Sequence, residues 1–228
     1  MENYPKTATE RFDGANLHIK YCLSFIKKFI VGNTIEIGAG CGSFTRHYLK
    51  KKLKKLILTD LDSENILELK RKYDEYEYIK ITNKQLGNLN EKFDTILYLH
   101  VLEHIKNDSN ELKLASKKLN SNGHLIIIVP AYQHIYSNLD KAVGHFRRYE
   151  RKFFKKSLFS LKRVKLCSVD LLGYFLYSLN RIFFKSEVFP SRLKIFVWDK
   201  IFTPITIFLD FITGYKFGKC LIAIYKKN

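Results

Sequence analysis

The sequence predicts an α/β fold: a doubly wound, mostly parallel seven-stranded sheet with a helical insert before its last strand. Three observations predict it. Strand-like and helix-like stretches alternate from residue 33 to residue 130. The strand-like stretches are continuous apolar runs, as expected of parallel strands covered on both faces. The first of these runs leads straight into a glycine-rich segment and then a helical period, the local order of a nucleotide-type site.

Each element follows from its own pattern. Leu17, Tyr21, Phe25 and Phe29 recur every four residues and predict a helix within 10–30. Residues 33–37 read as the first strand, and 43–52 as a helix whose terminal lysines suit its C-terminus. Residues 55–59 are a second buried-type strand, 63–73 a second helix, and 78–81 a weak third strand. The fourth strand is 93–99, followed by a helix near Asp108, a plausible cap. Asn120, Ser121, Asn122 and Gly123 break that helix before a fifth strand at 124–129, stopped by Pro130. Beyond it, 131–149 reads as a loop, 150–161 as a basic helix and 163–169 as a sixth strand. Residues 171–183 and 195–212 carry apolar side chains at helical spacing, and 219–225 reads as the last strand.

With 228 residues, 46% of them hydrophobic, the chain can bury a substantial core as one domain, 1–228. Disorder is excluded by composition. Cys22, Cys41, Cys167 and Cys220 are far apart, so neither a disulfide framework nor a zinc site is indicated, and no metal is expected. No run of ~18 uncharged apolar residues is present, and the first residues lack a signal-peptide pattern; a cytoplasmic setting is expected. The net charge is +18, of which residues 151–228 carry sixteen Lys/Arg against four Asp/Glu. That asymmetry points to an anionic partner: phospholipid, nucleic acid or a charged substrate. A merely lysine-rich surface is the bland alternative.

Glu36-Ile37-Gly38-Ala39-Gly40-Cys41-Gly42 lies at the strand-to-helix junction. Glycines there permit a tight turn and let backbone N–H groups approach a ligand. A dinucleotide loop wants G-x-G-x-x-G, whereas here the third glycine comes one residue early. Glu36 would repel a pyrophosphate but attract an amine. Asp60 closes the second strand, where a carboxylate can take both ribose hydroxyls.

These residues resemble motif I of class I S-adenosylmethionine methyltransferases. Phe93-Asp94-Thr95-Ile96, Val101-Leu102-Glu103-His104-Ile105 and the stretch 119–129 are similar to the segments that follow it in that family. The resemblance covers about 30–130. It implies a Rossmann-like fold, S-adenosylmethionine as cofactor, and cofactor contacts at Glu36, Gly38, Gly40, Gly42 and Asp60. His100, at the end of the fourth strand, joins that set. The family's usual Gly-Asp pair after the third strand is replaced by Thr82-Asn83-Lys84-Gln85, so Asn83 or Gln85 is expected at the adenine.

A second dense stretch runs from Asp140 to Tyr149 and contains Gly144-His145-Phe146-Arg147-Arg148-Tyr149. It follows the fifth strand, so it belongs at the carboxyl edge of the sheet. His145 is the expected general base and His104 the second choice; Arg147 and Arg148, with Asp140, are expected to hold an anionic acceptor. Alternatively the loop is structural, with Asp140 paired to Arg147 or Arg148. The stretch resembles a bacterial subgroup associated with surface-glycan and lipid-linked pathways. The insert 171–212 adds Lys185, Arg192, Lys194 and Lys200 among aromatic residues. It reads as a lid or dimer interface, a membrane-surface patch on the inner face, or a nucleic-acid contact. The expected activity is methyl transfer to a small-molecule, glycan or lipid-linked acceptor. RNA methylation and a non-catalytic, membrane-associated cofactor-binding protein are the alternatives.

Overall fold

In the computed structural model, which describes residues 13–49, 53–183 and 191–228, the chain opens with helix α1 (Asn16–Ile26). It then alternates through β1 (Asn33–Ile37), α2 (Thr45–Tyr48), β2 (Lys55–Thr59), α3 (Ser63–Tyr73), β3 (Ile79–Thr82), β4 (Phe93–Leu99), α4 (Asp108–Lys118) and β5 (Leu119–Pro130). A short α5 (Asn138–Ala142) follows, then the hairpin β6 (Ser157–Leu158) and β7 (Leu161–Val169). Helix α6 (Leu171–Phe183) and the continuous run of α7 (Arg192–Val197), a π-turn (Trp198–Phe202) and α8 (Thr203–Ile212) precede β8 (Cys220–Lys227).

Among the described residues one sheet holds eight strands in the order β3-β2-β1-β4-β5-β8-β7-β6. The first five are parallel; β8, β7 and β6 add antiparallel pairs. Strand order reverses between β1 and β4, and the crevice outside their carboxyl ends is where open α/β sheets bind ligands. Side-chain alternation divides the core in two. Leu97, Ile126, Ile128, Ile222 and Ile224 face α1, while Ile96, Tyr98, Leu125, Ile127 and Leu221 pack on the other face. Burial on both faces is why the strands read as unbroken apolar runs.

The eighth strand corrects the expected seven. Residues 150–161 form a single 3₁₀ turn (Arg151–Phe153) and the outgoing arm of a hairpin, not a basic helix. The two-residue turn places Phe159 and Ser160 at φ 48° and 67°, the left-handed pair that matches strand twist. Helix 43–52 is shorter than its pattern, and residues 50–52 lie outside the described residues. Asp108 is the first residue of its helix, and Asn107 the cap position.

The insert is tied to the core through buried carboxylates. Asp199, in the π-turn, accepts from the backbone N–H groups of Leu17 (3.2 Å) and His18 (2.9 Å), filling the orphan donors at the start of α1. Asp210 of α8 accepts from Tyr21 Oη at 2.8 Å and from the N–H groups of Asp170 and Leu171 at 2.7 and 2.9 Å, which fixes the start of α6. Burial pushes the Asp210 carboxyl above its ordinary value despite these donors.

Candidate active site at the carboxyl edge of the sheet

Glycines 38, 40 and 42 all have left-handed backbones, with φ of 63°, 56° and 82°. A Cβ on Gly38 would come within 2.8 Å of Val101 Cγ2, and one on Gly42 within 2.8 Å of the Tyr73 ring. Only glycine lets the loop turn this tightly against β4 and α3. The loop is stitched down by Ala39 N–H to Thr59 O (2.8 Å) and by Gly40 N–H to Asp60 Oδ2 (2.8 Å). Asp60 Oδ1 accepts from Asp62 N–H at 2.9 Å. Glu36 lies beneath, buried, where Oε2 accepts from Thr45 Oγ1 (2.6 Å) and from Tyr48 Oη. Burial pushes its carboxyl up to about 7 against the pull of those two donors. Asn83 is exposed just past β3; Thr82 is in register with Thr59, so Asn83 follows at the same sheet edge as Asp60.

His100 ends β4 with φ 58°, a conformation non-glycine residues adopt at a cost, commonly at functional sites. Its N–H donates to Ile128 O at 2.8 Å, and its ring lies 6.0 Å from that of Phe44, beside the glycine loop. Its Nδ1 is also 3.6 Å from Glu103 Oε1. His100 thus stands between the loop and a cluster of Glu103, His104 and His145. Glu103 is fully buried, and among the described residues neither carboxylate oxygen has a partner within ordinary hydrogen-bond distance. Burial would raise its pKa, but His100, His145 and His104 around it outweigh that and hold the carboxyl below its usual range. His104 packs edge-on to His145 with centroids 4.7 Å apart, and burial lowers its pKa.

The loop after β5 brings His145 there. Asp140 Oδ1 meets His145 Nδ1 at 2.7 Å. An ionised carboxylate only accepts, so Nδ1 carries a proton, while Nε2 lies 3.8 Å from Glu103 Oε1. The same Asp140 accepts from Ser137 N–H (2.9 Å), Tyr177 Oη (3.0 Å) and Arg148 Nε (2.9 and 3.0 Å). Burial would raise the Asp140 carboxyl, but His145 and Arg148 hold it well below the ordinary range. The Arg148 side chain is 5% exposed, with its guanidinium 4.4 Å over the Tyr177 ring. Tyr177 lies on α6, so the insert's first helix is pinned to this loop.

The rest of the segment is equally committed. Arg147 reaches Asp108 Oδ2 at 2.7 Å and Lys106 O at 2.8 Å, and Tyr149 Oη donates to the same Asp108 oxygen at 2.8 Å. Phe146 N–H donates to Glu103 O at 2.8 Å. Asp140 and Arg148, expected to hold an acceptor, are instead found buried and paired with one another, and Asp140 also holds His145. Arg147 keeps a partly exposed guanidinium. Sequence reasoning quoted Glu103 but gave it no role; the spacing His100-x-x-Glu103-His104 was the available signal.

Comparison with known proteins places the fold. N-methyltransferase NodS from Bradyrhizobium japonicum WM9, solved with S-adenosyl-L-homocysteine, aligns with a TM-score of 0.57 at 14% identity, covering 99% of this chain and 89% of that one. An S-adenosylmethionine-dependent methyltransferase from Clostridium acetobutylicum aligns at 0.55 and 15%, covering 95% and 91%. Coclaurine N-methyltransferase, bound to N-methylheliamine and S-adenosyl-L-homocysteine, aligns at 0.60 and 13%, covering 92% and 72%. At such identities the likeness is one of fold. No curated protein sequence matches the chain significantly. The sequence does match the methyltransferase-domain family over residues 15–165, more than half of its length, and the protein belongs to that family.

Proposed function

We propose that the protein transfers a methyl group from S-adenosylmethionine to a small-molecule, glycan or lipid-linked acceptor that meets the methyl at the His145 cluster. The observation that carries this reading is the junction at His100, where the left-handed glycine loop and the cluster of His145, held at its Nδ1 by Asp140, come together at the β1/β4 switch point. The loop suits the donor: bare backbone at Gly38, Gly40 and Gly42, with Asp60 at the adjoining strand end to accept from ribose hydroxyls. Asn83 is assigned to the adenine side. When bound, S-adenosylmethionine supplies a sulfonium methyl whose C–S bond breaks as the new bond forms, the electron pair staying on sulfur.

The chain's own contribution is alignment and exclusion of water, worth ~7–11 kcal/mol in well-oriented reactions. For a hydroxyl acceptor a proton must also leave, and His145 Nε2 is the acceptor atom of choice, with His104 beside it. Arg147 is assigned to an anionic group of the acceptor. The similarity of residues 140–149 to a subgroup tied to surface glycans and lipid-linked pathways favours that acceptor class. The decisive experiment is transfer of labelled methyl into fractionated polysaccharide, lipid and RNA extracts. Label in RNA alone would replace this reading with RNA methylation; cofactor binding with no label in any fraction would make the protein a non-catalytic binder.

A second observation supports peripheral contact with an anionic membrane. Leu193, Phe196, Phe208, Phe211 and Ile212 of the insert are exposed, Phe211 by 71%, on a segment where basic residues outnumber acidic ones. Among the described residues no helix is long and apolar enough to cross a membrane. Apolar side chains seated at the interface, with basic residues attracted to anionic headgroups, make the combination that holds a protein on a surface. Lys185 of this cluster lies outside the described residues. Flotation with anionic vesicles but not neutral ones is expected. Equal recovery with both, none with either, or self-association that hides the apolar face would remove the reading.

A further inference from the structure

We infer that Glu103, His104 and His145 form a binding site for a divalent first-row transition cation of the manganese-to-zinc class. One donor atom from each lies within 4.8 Å of the other two. Two imidazoles and one carboxylate with open positions is a donor set for such ions, whereas magnesium and calcium favour oxygen ligands.

The independent observation is Glu103. Its side chain is 0% exposed, and among the described residues both oxygens are buried without a partner within ordinary hydrogen-bond distance. The imidazoles of His100 and His145 face it at 3.6 and 3.8 Å, and a buried carboxylate whose oxygens lie beyond hydrogen-bond distance of their neighbours is placed to take a ligand. His145 fits the same picture from the other side. Its Nδ1–H is fixed by Asp140, which leaves Nε2 aimed at Glu103, the carboxylate–histidine–metal order in which an outer carboxylate orients a ligating ring. The backbone of Gly144 hydrogen-bonds His104, whose Nδ1 lies on the Gly144 side. Metal–ligand bonds of ~2.0–2.2 Å put neighbouring donors roughly 3–3.5 Å apart, so donors within 4.8 Å of one another close by up to about 1.3–1.8 Å when an ion enters.

This inference rests on the proposed methyl transfer and deepens it. With the cation bound, His145 Nε2 is a ligand rather than the base. A hydroxyl acceptor coordinated at an open position loses its proton to solvent because the ion lowers its pKa. The resulting oxygen then forms the C–O bond as the C–S bond breaks. The cation therefore favours an oxygen acceptor.

The test uses the full, untagged chain after chelator treatment. Titration with CoCl₂ is expected to bind one equivalent and develop visible d–d absorption. Glu103→Gln and His104→Ala are each expected to weaken binding at least tenfold, and Asp140→Asn by ~10–100-fold through His145. Thermal unfolding checks that each variant folds, and His145→Ala supplies a further ligand deletion if one does not. Wild-type binding no tighter than that of His104→Ala, or absorption that survives in all variants, overturns the site. Calorimetry with S-adenosylhomocysteine runs in parallel. Cofactor binding without cobalt binding removes the cation alone, and cobalt binding without cofactor binding removes the methyltransferase reading alone.

Discussion

Asp140 and Glu103 are both buried carboxylates in contact with His145, and they differ in nearly everything else. Asp140 accepts from a backbone N–H, a tyrosine, a histidine and an arginine. Glu103 is faced, among the described residues, by imidazoles at 3.6 Å and beyond, outside ordinary hydrogen-bond distance of its oxygens. A buried carboxylate saturated with donors is a fixed point of the fold, and removing one partner leaves a charge stranded. A buried carboxylate held without donors is an unspent interaction, which the fold tolerates where a ligand completes it. His145 joins the two: one ring nitrogen is locked by the structural acid and the other is offered to the open one.

His145→Ala cuts that link and carries the largest expected effect. Turnover on whichever fraction accepts label should fall by ~10²–10⁴-fold, with cofactor affinity unchanged. Loss of cofactor affinity would break the division between the glycine loop and the His145 cluster. Next in size is stability. Asp140→Ala strands Arg148 and should cost about 3–5 kcal/mol in chemical denaturation. Glu103→Gln removes a buried charge faced by imidazoles at 3.6 Å and beyond, and should cost less than Asp140→Ala because no partner is left stranded in a close contact. Equal losses in both would make Glu103 a structural acid like its neighbour.

How much of this was legible in the sequence follows the same division. The glycine loop, Asp60 and strands β1 to β5 were legible, because local backbone demands and burial on both faces leave marks in consecutive residues. The strand at 163–169 was legible too, but the hairpin arm at 157–158 that precedes it was not. Its turn uses Phe159 and Ser160 in left-handed conformations that normally call for glycine or asparagine, so the usual signal is missing. The start of α5 carries a capping-box pattern, Ser137-x-x-Asp140, within the stretch that reads as a loop. The pairing of Asp140 with Arg148 stood among the alternatives but not as the choice. Two arginines beside a histidine look alike in sequence whether they face a ligand or a buried acid. Glu103's isolation depends on β4, the 3₁₀ turn after it and the loop at 140–149 arriving together, and no local pattern records that.

A smaller effect sharpens the cofactor side. Asp60→Ala removes the acceptor of the Gly40 N–H and, in the proposed complex, of the ribose hydroxyls. Cofactor affinity should weaken by ~1.5–3 kcal/mol, the range for hydrogen bonds to charged groups. Unchanged affinity in calorimetry would confine Asp60 to holding the loop.

The smallest effect is a slope with pH, and it separates two buried acids by sign. Glu36 has a carboxyl raised from 4.5 to about 7 by burial. Between those values the unfolded chain ionises this group while the folded protein keeps it protonated. Its contribution to stability is therefore complete below pH 4.5, declines as pH rises to about 7, and is lost above. The decline is at most about 1.4 kcal/mol per pH unit for one proton. Asp140 runs the other way. Its folded pKa lies below the unfolded 3.8, so its contribution is present above pH 3.8 and lost as pH falls further. Denaturation midpoints measured from about pH 1.5 to 8 resolve the two windows. Glu36→Gln keeps an acceptor oxygen for Thr45 and Tyr48 and should flatten the decline between pH 4.5 and 7 while leaving the acid limb in place. An unchanged slope in that variant would mean that Glu36 is ionised throughout, stabilised beneath the glycine loop by more than the two hydroxyls that face it.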